Sequence, residues 1–321
     1  MKLKEIGWNG FLVKVPEEMH LTRQGGNAEK GTFLLESEGY VTELSWNPIP
    51  KKPKPLLSLV ETFIDRTKKE SKKKKRKVTL KEKRDTIVNT HEAVYLCLKS
   101  VIEERYYIWQ CKESGRIISA RFIIKPFDEK ARLFIKQFLS TLRCHMKEKN
   151  VWSLMKMRFE APKSFLLSEA KFEVGRAHIV LAENKLSAFE ERTKRIYVNY
   201  FSMANIVFKD TYEDPDKWFE KNHFKNFKKS LKKWRIHFET SGERKLEGHK
   251  AVIKQARTTS GVYTRSTDLC SIACWYCQEM NRMYFLAVYS KVARPIFLKR
   301  RLEEEEHNKL FDEILESFKC H

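Results

Sequence analysis

Apolar and polar positions alternate in short runs along most of this chain, and a few longer stretches shift to helical spacing. Phe11-Leu12-Val13-Lys14-Val15 alternates and stops at Pro16, which predicts a strand ending at a turn. Residues 32–36 and 40–46 predict a strand pair around Glu38-Gly39. Pro48, Pro50, Pro53 and Pro55 mark a stiff loop. Leu56, Val60, Phe63 and Thr67 then recur at helical spacing, so a helix is expected from 56 to about 75. Strands are expected at 78–83, 93–103, 106–111 and 116–124. Asp128 next caps a closing helix whose apolar stripe is Ala131, Phe134, Ile135, Phe138 and Leu142.

The same order of elements then begins again. Met157-Arg158-Phe159 leads to Pro162, and strands are expected at 177–182 and 195–201. Asp214-Pro215 opens a helix with the stripe Phe224, Phe227, Leu231 and Trp234. Strands at 234–239, 251–257, 270–277 and 283–289 precede a last helix over roughly 302–319. The repetition extends to letters. W-Q-C-K-E-S-G-R (Trp109, Cys111, Glu113, Arg116) is matched by W-Y-C-Q-E-M-N-R (Trp275, Cys277, Glu279, Arg282) with every spacing kept. His91-Glu92-Ala93-Val94 answers His249-Lys250-Ala251-Val252, and Leu142-Arg143-Cys144-His145 answers Phe318-Lys319-Cys320-His321. The extra residues of the second half fall between elements, where insertions are cheapest. Sequential strands with short connections favour an antiparallel sheet, which two amphipathic helices must cover. The expected fold class is α+β: two tandem copies of an antiparallel sheet flanked by helices, over residues 1–148 and 149–321.

Three features in each half resemble the PsbP-like superfamily, which includes the bacterial DcrB-like and LpqN-like proteins. They are the early strand ending at Pro16 or Pro162, the segment N-T-H-E-A (Asn89 to Ala93) or E-G-H-K-A (Glu247 to Ala251), and the C-K-E-S-G-R or C-Q-E-M-N-R hairpin before a final helix. The resemblance implies an α/β sandwich used mainly to bind other proteins, and it supplies no catalytic residues. The chain departs from that family in its positive charge and its tandem repetition.

Composition narrows the classes. The 321 residues are 41% hydrophobic and 12% aromatic, enough for two packed cores. No apolar run reaches the length of a membrane span, and the first residues lack the apolar stretch of a secretory signal. Seven cysteines, an odd count, argue against a secreted disulfide framework and for buried thiols. A cytoplasmic location without membrane partners is expected.

The strongest catalytic-looking signal is C-x-x-x-C-x-x-C at Cys270, Cys274 and Cys277, the spacing of radical S-adenosylmethionine enzymes. Three observations weaken it. Cys277 has a counterpart in Cys111, but Cys270 and Cys274 have none. Only residues 278–321 follow, too few for a catalytic domain. The segment also reads as a strand, on which Cys270 and Cys274 share one face and Cys277 takes the other. No cofactor is expected, with an iron–sulfur or zinc enzyme on these three cysteines as the alternative. Cys144-His145 and Cys320-His321 invite a zinc site, yet neighbours near a helix end diverge by about 100°. Cys111 facing Cys144, and Cys277 facing Cys320, as neighbouring thiols is the more economical expectation. His91 and His249 lack a nucleophile to activate, so a structural hydrogen bond at the strand entrance is expected of each. Glu303 to Glu306 is an acidic run suited to a helix start.

Charge is what remains. Lys and Arg number 64 against 42 Asp and Glu, a net +22. Lys68, Lys69, Lys72, Lys73, Lys74, Lys75, Arg76 and Lys77 close the first helix. In the second half Lys221, Lys225, Lys228 and Lys232 are spaced as one stripe, extended by Lys229, Lys233 and Arg235. The run 72–78 matches a nuclear import signal in letters, and a basic helix end explains it equally well. The expected function is that of a non-enzymatic binding or adaptor protein whose basic helices meet an acidic protein or a nucleic-acid backbone.

Overall fold

The computed structural model describes residues 2–207, 214–231, 237–261, 264–295 and 303–321. The chain divides into two compact units, Met1–Leu154 and Met155–His321.

In the first unit the strands are β1 (Leu3–Trp8), β2 (Phe11–Pro16), β3 (His20–Gly26), β4 (Gly31–Ser37), β5 (Tyr40–Pro48), β6 (Thr79–Val88), β7 (His91–Lys99), β8 (Glu103–Cys111), β9 (Arg116–Ile124) and β10 (Lys149–Leu154). Helix α1 (Leu56–Lys73) lies between β5 and β6, and α2 (Glu129–Thr141) follows β9. Seven strands make an antiparallel sheet in the order β3-β4-β5-β9-β8-β7-β6, while β1 pairs with both β2 and β10. The β1–β10 pairing places 149–154 with the first unit. It needs glycine at Gly7, where an added Cβ would stand 2.4 Å from the Val151 carbonyl oxygen.

Alternation along the strands divides the sheet's residues between two cores. Val94, Leu96, Leu98, Tyr106 and Ile108 meet Val60 and Ile64 of α1. The opposite face carries Tyr107 and Phe122, and Phe122 packs edge-on against Phe134 and Phe138 of α2. Asp128 caps α2 by accepting from the Ala131 amide, as its residue type predicts.

The second unit holds β11 (Met157–Pro162), β12 (Leu166–Glu173), β13 (Arg176–Leu186), β14 (Glu191–Ser202), α3 (Ala204–Val207), α4 (Pro215–Asn222), α5 (Phe224–Ser230), β15 (Glu239–Leu246), β16 (His249–Ser260), β17 (Thr264–Cys277), β18 (Arg282–Pro295) and α6 (Glu303–Glu316). Its seven-stranded antiparallel sheet runs β12-β13-β14-β18-β17-β16-β15, the same order as in the first unit. Each unit is thus α+β. Trp218, Phe219, Phe227 and Leu231 cover one face together with Cys270, Ile272, Cys274 and Phe285. On the other face Phe318, just beyond α6, packs against Trp275 and Tyr284.

The expected single helix after Asp214-Pro215 is broken. Asp214 does cap α4, accepting from the Asp216 and Lys217 amides, but His223 leaves helical geometry and α5 restarts at Phe224. The cause is aromatic packing: the buried His223 ring contacts Phe201, Phe219 and Phe285. Among the described residues no helix is long and apolar enough to cross a membrane.

Candidate metal centres and basic surface

Strand parity brings the repeated letters together. His91 opens β7 and Cys111 closes β8, and both lie on the α2 face of the sheet, in step with Ala93, Tyr95, Tyr107 and Trp109. After α2 ends at Thr141, the Asn89 side chain donates to the Leu142 carbonyl. Arg143 then forms a two-bond bridge with Leu12 of β2. Cys144 and His145 follow directly. They are not on the helix, so the 100° divergence expected of helical neighbours does not apply, and Cys144 Sγ lies 3.6 Å from His145 Nδ1. His91 Nε2 is 3.2 Å from Cys144 Sγ, and His145 Nδ1 is 3.3 Å from Cys111 Sγ. Four donor atoms, two sulfurs and two imidazole nitrogens, lie within 4.8 Å of one another.

The second unit repeats this assembly. His249 opens β16 and Cys277 closes β17. Lys319, just past α6, bridges Arg158 of β11 with bonds of 2.7 and 2.8 Å. His321 Nδ1 lies 3.3 Å from Cys320 Sγ and 3.7 Å from Cys277 Sγ, and His249, Cys277, Cys320 and His321 again fall within 4.8 Å. The paired rings cross edge-on in both units, with centroids 5.7 Å apart for His91–His145 and 5.3 Å for His249–His321. In both, the hairpin after the cysteine turns through a left-handed residue, Gly115 or Asn281. All seven cysteines are free thiols.

The electrostatics of the two clusters differ. Cys111 is pulled down to about 5, chiefly by a hydrogen bond with Cys144 and further by Ser114 and His145. Cys144 is pushed up because it keeps the proton the pair shares. Cys277 and Cys320 are both pushed up by burial, Cys320 to about 12. The Glu113 carboxylate stands 3.4 Å from Cys111 Sγ, and the Glu279 carboxylate stands 3.5 Å from Cys277 Sγ and 3.4 Å from His249 Nε2. His249 Nε2 is nevertheless buried without a hydrogen-bond partner, because the nearby carboxylate does not align with it for a hydrogen bond. The buried indole N–H groups of Trp109 and Trp275 make no hydrogen bond of normal geometry, but they stand close enough to Cys144 and Cys320 to favour the ionised thiols.

Cys270, Cys274 and Cys277 do not converge. Cys270 and Cys274 lie in the aromatic core under α4 and α5, where burial pushes both thiols up, while Cys277 occupies the opposite face. An iron–sulfur site on these three residues is corrected accordingly: alternation on β17 separates them. The structural hydrogen bond expected of His91 and His249 also takes another form, since both rings face thiols of their own unit.

The basic residues fare unevenly. Lys72, Lys73, Lys74, Lys75, Arg76 and Lys77 are exposed at and beyond the end of α1, as are Lys68 and Lys69. The helix closes with Lys75 at a left-handed φ of 56°, its amide donating to Lys72 and that of Arg76 to Ser71. In the second unit the expected continuous stripe is interrupted at His223. Lys221 lies on α4. Lys225, Lys228 and Lys229 lie on α5, with the Lys228 ammonium 4.2 Å from the centre of the Phe224 ring. Lys232, Lys233 and Arg235 fall outside the described residues.

Sequence reasoning paired the cysteines but missed the clusters. The signal that identifies them was present: in each half a His four-residue block, a Cys hairpin and a Cys-His pair recur together.

No family model and no curated protein matches the chain. Among solved structures, the solution structure of cyanobacterial PsbP (CyanoP) from Synechocystis sp. PCC 6803 is similar at 13% identity, over 44% of this chain and 91% of that one, with a TM-score of 0.36. The likeness is at the level of fold, and it is slight.

Proposed function

We propose that the chain is a non-catalytic, cytoplasmic binding protein, two PsbP-like units related by duplication, whose basic face in the first unit engages a polyanion, foremost the backbone of a nucleic acid. The observation that carries this reading is the exposed run from Lys72 to Lys77. Among the described residues no ion pair engages it. The neighbouring cations of β6 are already matched: Lys81 with Glu103, Lys83 with Glu61 and Arg84 with Glu82. Uncompensated charge is therefore concentrated on one short segment beside an exposed edge strand. Phe63 of α1 packs into the core beside Tyr106, so the contact is with phosphates rather than stacked bases.

The test is filter binding of single-stranded RNA and DNA across a salt series, with an acidic polypeptide as competitor. Affinity that falls steeply with salt supports the reading. Tight competition by the polypeptide alone would move the partner to an acidic protein. No binding at low salt would end the proposal.

A further inference from the structure

The geometry points to one zinc(II) ion in each unit, held in a closed tetrahedral site by His91, Cys111, Cys144 and His145 in the first and by His249, Cys277, Cys320 and His321 in the second. This inference stands apart from polyanion binding and does not need it.

The distances fit first. Zinc takes sulfur at about 2.3 Å and imidazole nitrogen at about 2.0 Å, so the edges of its tetrahedron run from about 3.3 to 3.8 Å. The measured donor–donor contacts are 3.2, 3.3 and 3.6 Å in one unit, and 3.3 and 3.7 Å in the other. Two thiolates with two imidazoles form a borderline-soft donor set that suits a metal with no geometric preference of its own. Magnesium and calcium want oxygen, and an iron–sulfur cluster wants more thiolate.

The surroundings fit next. His249 is nine-tenths buried with an Nε2 that lacks a hydrogen-bond partner, and coordination would give that nitrogen one. The buried Trp109 and Trp275 N–H groups stand by Cys144 and Cys320, where they would donate to metal-bound thiolates. A disulfide between Cys111 and Cys144 would satisfy neither the imidazoles nor the indoles.

Recurrence is the third support. The unit-specific features differ: Arg116 lies over Phe11 in the first unit, whereas Arg282 donates to the Met155 carbonyl in the second. The four donors are nonetheless present twice, brought together by the same three devices: the start of a strand, the end of its neighbour, and a bridged segment after the closing helix. On binding, each thiol still protonated releases its proton to solvent and the metal is bound by two thiolates and two neutral imidazoles. With four protein ligands there is no open position for water, so the ion is structural: it ties the segment after the closing helix to the sheet.

The experiment is metal counting on the full chain, purified with a reductant that does not chelate and equilibrated with zinc. Two zinc ions per chain are expected by mass spectrometry of the metal. Replacing zinc with cobalt(II) should give intense tetrahedral bands with sulfur-to-metal charge transfer. The double variant Cys111→Ser, Cys144→Ser should hold one ion, as should Cys277→Ser, Cys320→Ser. Because serine variants can misfold, His145→Cys provides a second arm. It should keep two ions and strengthen the charge-transfer band by about half for its site, with three thiolates in place of two. Metal-free protein with titratable thiols, weak octahedral cobalt bands, or two ions retained in all serine variants would overturn the proposal.

Discussion

Arg143 and Leu12 exchange two backbone hydrogen bonds, of 2.7 and 3.0 Å, and that bridge sets Cys144 against His91. The Leu12 amide points away from β1 toward Arg143, so a proline at 12 removes this bond while leaving the β1–β2 ladder bonds in place. Leu12→Pro is expected to destabilise the first unit by about 1–3 kcal/mol, the cost of an unpaired Arg143 carbonyl and a loosened cluster. Urea unfolding of the variant, with metal content measured in parallel, checks both. Unchanged stability with full metal content would show that the bridge does not organise the site.

Two cysteines three residues apart on β17 should behave as strangers. Cys274 is buried among aromatic residues under α4, so Cys274→Ser puts a hydroxyl into an apolar core and should cost about 1–3 kcal/mol without altering metal content. Cys277→Ser should lower metal content in the second unit. Thermal melts and metal analysis of the two variants side by side separate these outcomes; equal metal loss in both would contradict the division of faces.

Acid should weaken the second unit through two buried histidines. His307 lies between the Ser271 and Ser290 hydroxyls, and burial, then the charge of Lys194, holds it at about 4. His223 is held at about 4 by burial, then by Arg176 and His178. A depressed folded value means that the unfolded chain binds more protons between about 4 and the ordinary 6.5, so stability falls as pH drops through that window. Each histidine contributes a loss of about 3 kcal/mol once pH is below 4. Denaturant unfolding at pH 7 and pH 5 should show this slope, and His307→Gln should lower stability at pH 7 yet flatten the dependence. A variant with the parent's slope would remove His307 from the explanation.

If the run after α1 meets phosphates, its charges should be countable. Replacing Lys73 and Lys77 by Gln should reduce the slope of log affinity against log salt by about 2 for duplex DNA. It should leave stability unchanged within about 0.5 kcal/mol, since both side chains are exposed. An unchanged slope would place the binding face elsewhere.

Much of this architecture was legible in the chain. The alternation of 116–124 and the Asp128 cap translate directly into β9 and α2, because local pattern and tertiary environment agree there. β1, β3, β10 and β12 were not foreseen, and β15 (Glu239–Leu246) begins where the strand expected at 234–239 was to end. His20-Leu21-Thr22-Arg23-Gln24-Gly25-Gly26, for example, offers Leu21 alone as an apolar side chain and so no alternation, since β3 is an edge strand that buries little. The break at His223 was illegible for another reason: the aromatic stripe reads as one helix, and only its fit around Phe285 and Phe201 forces the restart. The clusters were half legible. The repeated Cys and His letters were visible, but a helix assumed to continue through Cys144 kept its neighbours apart, and His91 looked isolated until β7 and β8 paired.

The most direct measurement is X-ray absorption at the zinc edge of the full-length, reduced, zinc-loaded protein. The account predicts two sulfurs at about 2.3 Å and two nitrogens at about 2.0–2.1 Å per metal, with imidazole scattering beyond. A first shell of oxygen and nitrogen without sulfur, or three to four sulfurs per zinc, would contradict it.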